Sequence, residues 1–147
     1  MPVRDARLTD VNTLVRGNCA MARETEGLEL DPDRMRTGVE AVFADASKGR
    51  YWIEEFHGAT RGQLLVTYEW SDWRNAPVWW IQSVYVWPEA RVRGVFRSLY
   101  AHVDLEAKAA GAAGLRLYVD LRNQSAQQVY ERLGMDGGHY RLFEAMF

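Results

Sequence analysis

The chain predicts an α+β domain of the three-layer α/β type, a mixed and mainly antiparallel central sheet flanked by helices. Three observations predict it. Apolar residues recur at helical spacing over the first fifty residues, alternate with period two from Tyr51 to Val86, and then fall into helix and strand patterns by turns. The length of 147 residues suits one domain over residues 1–147. Hydrophobic residues at 48% against 26% charged supply a core and exclude a disordered chain.

The elements follow in the order β-α-α-β-β-β-α-β-α-β. Pro2 to Arg7 reads as an edge strand. Thr9 or Asp10 caps a first helix bearing Val11, Leu14, Val15, Cys19 and Ala22, expected to end near Arg23. The acidic stretch Glu24 to Leu30 contains Gly27 and reads as a loop. Asp31 and Pro32 start a second helix as cap and first position, with Met35, Val39, Val42 and Phe43 on one face. Lys48-Gly49 closes it.

Tyr51 to Phe56 and Gln63 to Trp70 are strand-like runs joined by a loop from His57 to Gly62. Turn residues from Ser71 to Pro77 lead into a third strand, Val78 to Val86, which completes an antiparallel meander. Val95, Leu99, Val103 and Ala107 mark a helix that lasts to Gly111. A strand from Leu115 to Leu121, a helix from Asn123 to Gly134 and a last strand from His139 to Phe147 complete the pattern.

Charge and cysteine content exclude several functions. A net charge of −2 offers no basic field for nucleic acid or an anionic membrane. One cysteine and three scattered histidines give neither a disulfide nor a metal-ligand spacing. The start MPVRDARLTD lacks the apolar core of a signal peptide, and no run is long enough for a membrane span, so a cytoplasmic location is expected.

The stretch Val84 to Arg97, VYVWPEARVRGVFR, passes from strand through a turn with Arg91, Arg93 and Gly94 into a helix start. Unpaired N–H groups at a helix N-terminus and clustered arginines make an anion site, most naturally for phosphate. An ordinary strand-to-helix connection with solvated arginines fits the same letters.

Together with Asn123, Ala126, Tyr130, Leu133, Gly134 and Met135, this stretch resembles the GNAT superfamily of acyl-CoA-dependent N-acyltransferases over the whole chain. Arg91 and Gly94 match the family's Arg/Gln-x-x-Gly-x-Gly/Ala turn; Val92 stands where a glycine is common and Phe96 where a small residue is usual. The resemblance implies a splayed strand pair and acetyl-CoA as cosubstrate, without a metal. It makes Val84, Val86, Arg91, Val92, Arg93, Gly94, Val95, Phe96, Arg97, Asn123 and Ala126 the cofactor-binding set. It implies Tyr130 as the general acid at the departing thiolate; a phenol near pKa 10 can supply that proton.

An alkylamine near pKa 10.4 must lose a proton before it can attack. Glu69 is the first candidate to take it, with Asp72 beside it and Trp70 between. Glu24 and Glu26 are the second carboxylate pair, and Gln82 and Ser83 could orient acceptor or water. The same letters around Glu69 also suit a packed strand end. Trp73, Trp79, Trp80 and Trp87 cluster about one strand, as a cleft wall or a homodimer face.

The expected function is therefore transfer of an acetyl group to a primary amine of a small molecule or peptide by direct attack. Two alternatives stand beside it: a GNAT-like domain that binds acyl-CoA without catalysis, and a non-enzymatic dimeric interaction module.

Overall fold

A computed structural model describes residues 3–147. They divide into two units, one ending at Leu117 and the other spanning Tyr118–Phe147.

The first unit is built on a five-stranded sheet in the order β1-β2-β3-β4-β5. Its strands are β1 (Val3–Asp5), β2 (Arg50–Phe56), β3 (Ala59–Ser71), β4 (Ala76–Val86) and β5 (Gly114–Leu117). The first three pairings are antiparallel and β4 with β5 is parallel. The mixed, mainly antiparallel sheet expected from the sequence is thus present. Pro2, expected in the first strand, lies outside the described residues.

Helices α1 (Val11–Glu26) and α2 (Pro32–Ala44) cover one face and α3 (Val95–Ala109) the other. Trp52, Leu64, Val66, Trp79 and Ile81 form one core with Val95, Leu99, Val103 and Ala107. Tyr51 and Ile53 form the second with Val11, Leu14, Val15 and Val39. Each fully buried aliphatic side chain contributes about 1.5–3 kcal/mol, so the two faces together hold the sheet between its helices.

Asp31 caps α2 by accepting from the Asp33 amide at 3.0 Å, with Pro32 at the first helical position. The first helix runs three residues past the expected stop. Met21 to Glu26 are mostly good helix formers, and Gly27, at φ 64°, is the first residue able to turn left-handed and end it. Glu24 and Glu26 are therefore helical, not on a loop. The loop expected from His57 to Gly62 is a two-residue turn, His57-Gly58, both at positive φ, as a tight hairpin requires. Thr60 to Gly62 belong to β3, with a bulge at Arg61 opposite Glu54 and Glu55.

Gln63, 2% exposed, ties α1 to the sheet. Its amide nitrogen donates to Leu14 O at 3.1 Å and to Asn18 Oδ1 at 3.2 Å, and Asn18 donates to Tyr51 Oη at 3.1 Å. This close approach needs Gly17, where a Cβ would collide with the Gln63 side-chain amide.

The tryptophan cluster does not form one face. Trp79 is core and stacks on Trp52 at 6.1 Å, whereas Trp73 is 90% exposed on the β3–β4 turn.

In the second unit, α4 (Gln124–Arg132) is capped by Asn123, whose Oδ1 accepts from the Ala126 amide at 3.1 Å. Gly134, at φ 89°, ends it; Gly134 N donates to Glu131 O and Met135 N to Tyr130 O, which satisfies the last carbonyls. The strand expected from Leu115 to Leu121 stops at Leu117. No strand forms over 139–147, where Tyr140, Phe143, Met146 and Phe147 are exposed.

Candidate active site: an open strand edge beside an arginine turn

Strand β4 has two halves. Val78 to Ile81 pair with Gly114 to Leu117, and there the β5 ladder stops. Among the described residues, Gln82 to Val86 pair with β3 and with no second strand. Gln82 is a bulge, because Ile81 faces Val66 while Ser83 faces Leu65. A bulge bends its strand and raises its twist, and this one sits just past the end of the β5 ladder.

The direction of the backbone groups on this half follows from ladder parity. Trp87 N donates to Arg61 O at 2.9 Å, so Trp87, and with it Tyr85, point their backbone groups toward β3. Val84 and Val86 therefore point theirs away, to the open edge. Their side chains pack on the α3 core, while Tyr85 faces α1.

After Val86 the chain runs through a 3-10 turn, Pro88–Ala90, to Arg91 and into α3. Val92 has φ 63° and Gly94 φ 76°, two left-handed residues separated only by Arg93. The first α3 bond back to the turn is Ser98 N to Gly94 O at 3.0 Å, so the Val95 and Arg97 amides lie ahead of the intrahelical ladder at the positive end of the dipole. Successive amides in such a turn make an anion cradle. Arg93 and Arg97 are exposed beside it. Phe96 is half-buried, its ring 6.1 Å from that of Tyr100 one turn along, so the bulky group lies along the flank of α3. The donor set fits a pyrophosphate, and the Val84 and Val86 amides fit an amide-bearing arm added as a strand.

Arg91 is engaged otherwise than expected. Its Nε donates to Val86 O at 3.0 Å and its Nη2 to Glu24 Oε1 at 2.6 Å, and its guanidinium lies 5.6 Å from the Tyr85 ring centre. Tyr85 Oη donates to the other oxygen of Glu24. The Tyr85 hydrogen bond, then Arg91, hold the Glu24 carboxyl below its ordinary range. Burial, then the bond to Glu24, push the Tyr85 phenol up to about 12. Nothing local in the sequence joins residues 67 apart, so the Glu24–Tyr85–Arg91 cluster had no signal there beyond the separate choice of Glu24 and Arg91.

Glu69 does not reach this edge. It faces Val78 and pairs with Arg116 at 2.6 Å. Val78 stands four residues before Gln82, about 13 Å of strand, well beyond a glutamate's length. Trp70 and Asp72 lie still farther along the β3–β4 hairpin, with Asp72 Oδ1 accepting from the Trp73 amide at 2.9 Å. Gln82 is exposed and its amide donates to Thr67 Oγ1 at 2.8 Å; Ser83 is half-buried beside it. Glu26 sits at the exposed end of α1.

In the second unit, Tyr130 is half-buried on α4, and burial raises its phenol pKa, which keeps it protonated at neutral pH. Asn123 and Ala126 meet in the helix cap. Among the described residues, no group of His, Cys, Asp and Glu is placed to hold a metal ion, and no helix is long and apolar enough to cross a membrane.

No curated protein sequence matches the chain significantly. A solved structure described as a possible acetyltransferase from Clostridium difficile 630 is 39% identical, with a TM-score of 0.92 over 99% of this chain and 96% of that one. An aminoglycoside N-acetyltransferase in complex with CoA shares the fold at 17% identity, with a TM-score of 0.81 over 98% of this chain and 93% of its own. A ribosomal-protein-alanine N-acetyltransferase from Brucella melitensis biovar Abortus 2308 shares it at 12% identity and a TM-score of 0.78, over 99% and 98%. The family model for the acetyltransferase (GNAT) family matches residues 19–135, most of the chain, and the chain belongs to that family.

Proposed function

We propose that the protein transfers an acyl group, in the simplest case acetyl, from acyl-CoA to a primary amine by direct attack. The observation that carries this reading is the open edge of β4 leading into a turn with Val92 and Gly94 both left-handed. Backbone amides of that turn and the α3 N-terminus, with Arg93 and Arg97, would hold the pyrophosphate. The Val84 and Val86 backbone groups would align the pantetheine arm.

The amine nitrogen, once neutral, attacks the thioester carbonyl, the C–S bond breaks, and a proton goes to the departing sulfur, the role that the resemblance to the family gives to the Tyr130 phenol. A backbone N–H near the Gln82 bulge would polarise the carbonyl, and positioning of the two substrates supplies much of the rate. Glu24 replaces Glu69 as the carboxylate that attracts the ammonium and passes its proton to water, because it stands at the level of Tyr85 on β4. Carboxylate and aromatic surfaces together suit a cationic acceptor.

Calorimetry with acetyl-CoA and CoA tests the cofactor reading, and absence of binding at millimolar concentration would sink it. Thiol release over a panel of amines identifies the acceptor class. Tyr130→Phe should lower turnover by about 10²-fold or more while CoA affinity stays nearly intact; unchanged turnover removes Tyr130 from the mechanism.

A further inference from the structure

We propose that Glu24 competes with the pyrophosphate of CoA for the Arg91 guanidinium, so that seating the cofactor detaches Arg91 and leaves Glu24 open to an incoming ammonium. The inference rests on the acyl-CoA reading above and adds an order to it.

Arg91 immediately precedes the left-handed turn, yet two of its nitrogens are turned back, Nε to Val86 O and Nη2 to Glu24. It thus covers two groups the reaction needs. Val86 O is one of the edge-facing acceptors on β4, and Glu24 is the carboxylate that bonds Tyr85 and Arg91 beside it. The Arg91–Glu24 pair is open to solvent, its side chains 44% and 38% exposed. An exposed pair with one carboxylate oxygen is weak. A pyrophosphate carries more charge and can accept the guanidinium in bidentate fashion, which favours exchange.

When Arg91 swings to the phosphates, Val86 O becomes available to an amide N–H of the cofactor arm. Glu24 keeps Tyr85 Oη as its donor on one oxygen. The other oxygen loses its cation, and an ammonium replaces it. Free enzyme is thereby a poor binder of the amine, and acyl-CoA binds first.

The competition is read directly by binding, without turnover. Glu24→Gln removes the competitor and should tighten CoA about two- to fivefold. It should tighten pantetheine, which has no phosphate and gains only access to Val86 O, by clearly less. In an Arg91→Met background, where CoA binds more weakly, Glu24→Gln should have no effect. Both side chains are partly exposed, and thermal melts check that the variants fold. Weaker or unchanged CoA binding by Glu24→Gln, with wild type binding normally, overturns the competition and leaves the acyltransferase reading intact. An equal gain with pantetheine also overturns it. A wild type that binds no CoA overturns both.

Discussion

Replacing Val92 by glycine should stabilise the protein, although it removes a side chain. Val92 is held at φ 63° and its side chain is fully exposed, so no packing is lost with it. The left-handed region costs an L-residue roughly 1–2 kcal/mol, and a β-branched side chain belongs at the upper end of that range. Glycine adopts it freely, but its greater freedom in the unfolded chain takes back about 0.4–1 kcal/mol. The net gain is about 1 kcal/mol. All six tryptophans lie within the unit that ends at Leu117, so their fluorescence reports the unfolding of the unit that contains the turn. In urea the midpoint should rise with the slope unchanged, and the melting temperature should rise by about 2–4 °C. Val92→Ala keeps a Cβ and should gain less. A midpoint for Val92→Gly at or below that of wild type would refute the left-handed strain.

Two further outcomes are expected. The Tyr85 phenol, raised from the ordinary 10 to about 12, keeps its proton in the folded state where the unfolded chain releases it. Its contribution to stability is full below pH 10 and is lost as pH climbs through 12. Ultraviolet titration, assigned with Tyr85→Phe, should show Glu24→Gln lowering that midpoint without restoring it to 10, because burial is the larger cause; an unchanged midpoint would dissolve the Tyr85–Glu24 bond. Gly17→Ala should destabilise by about 1–3 kcal/mol through overpacking against Gln63, more than the helix propensity it gains. Gln63→Ala in the same chain should recover much of that loss in a denaturation cycle, and simple additivity of the two would exclude the contact.

The helix starts were legible because their chemistry is local. Asp31-Pro32 and Asn123 cap the helices that the sequence assigns to them, and Gly134 ends α4. The end of α1 is harder to read because an acidic run suits a last helical turn as well as a loop, and only Gly27 forces the stop. The passage from strand through turn to helix start over Val84 to Arg97 was readable, yet the partner of Arg91 was not. Glu24 lies on a different element, and long-range pairing leaves no periodic trace. Glu69 is the complementary case. Its neighbours in sequence looked like a site, while register put it on the ladder's closed half against Arg116.

The bulge at Gln82 leads to a last consequence. Trp79 and Ile81 face the α3 core from odd positions, and Val84 and Val86 face it from even ones. Remove Gln82, and the four fall into unbroken alternation with every inward side chain still inward. Packing therefore has no use for this residue; the fold could be written one letter shorter. What the extra letter supplies is a bend just past the end of the β5 ladder, encoded as a count of residues and not as any particular side chain.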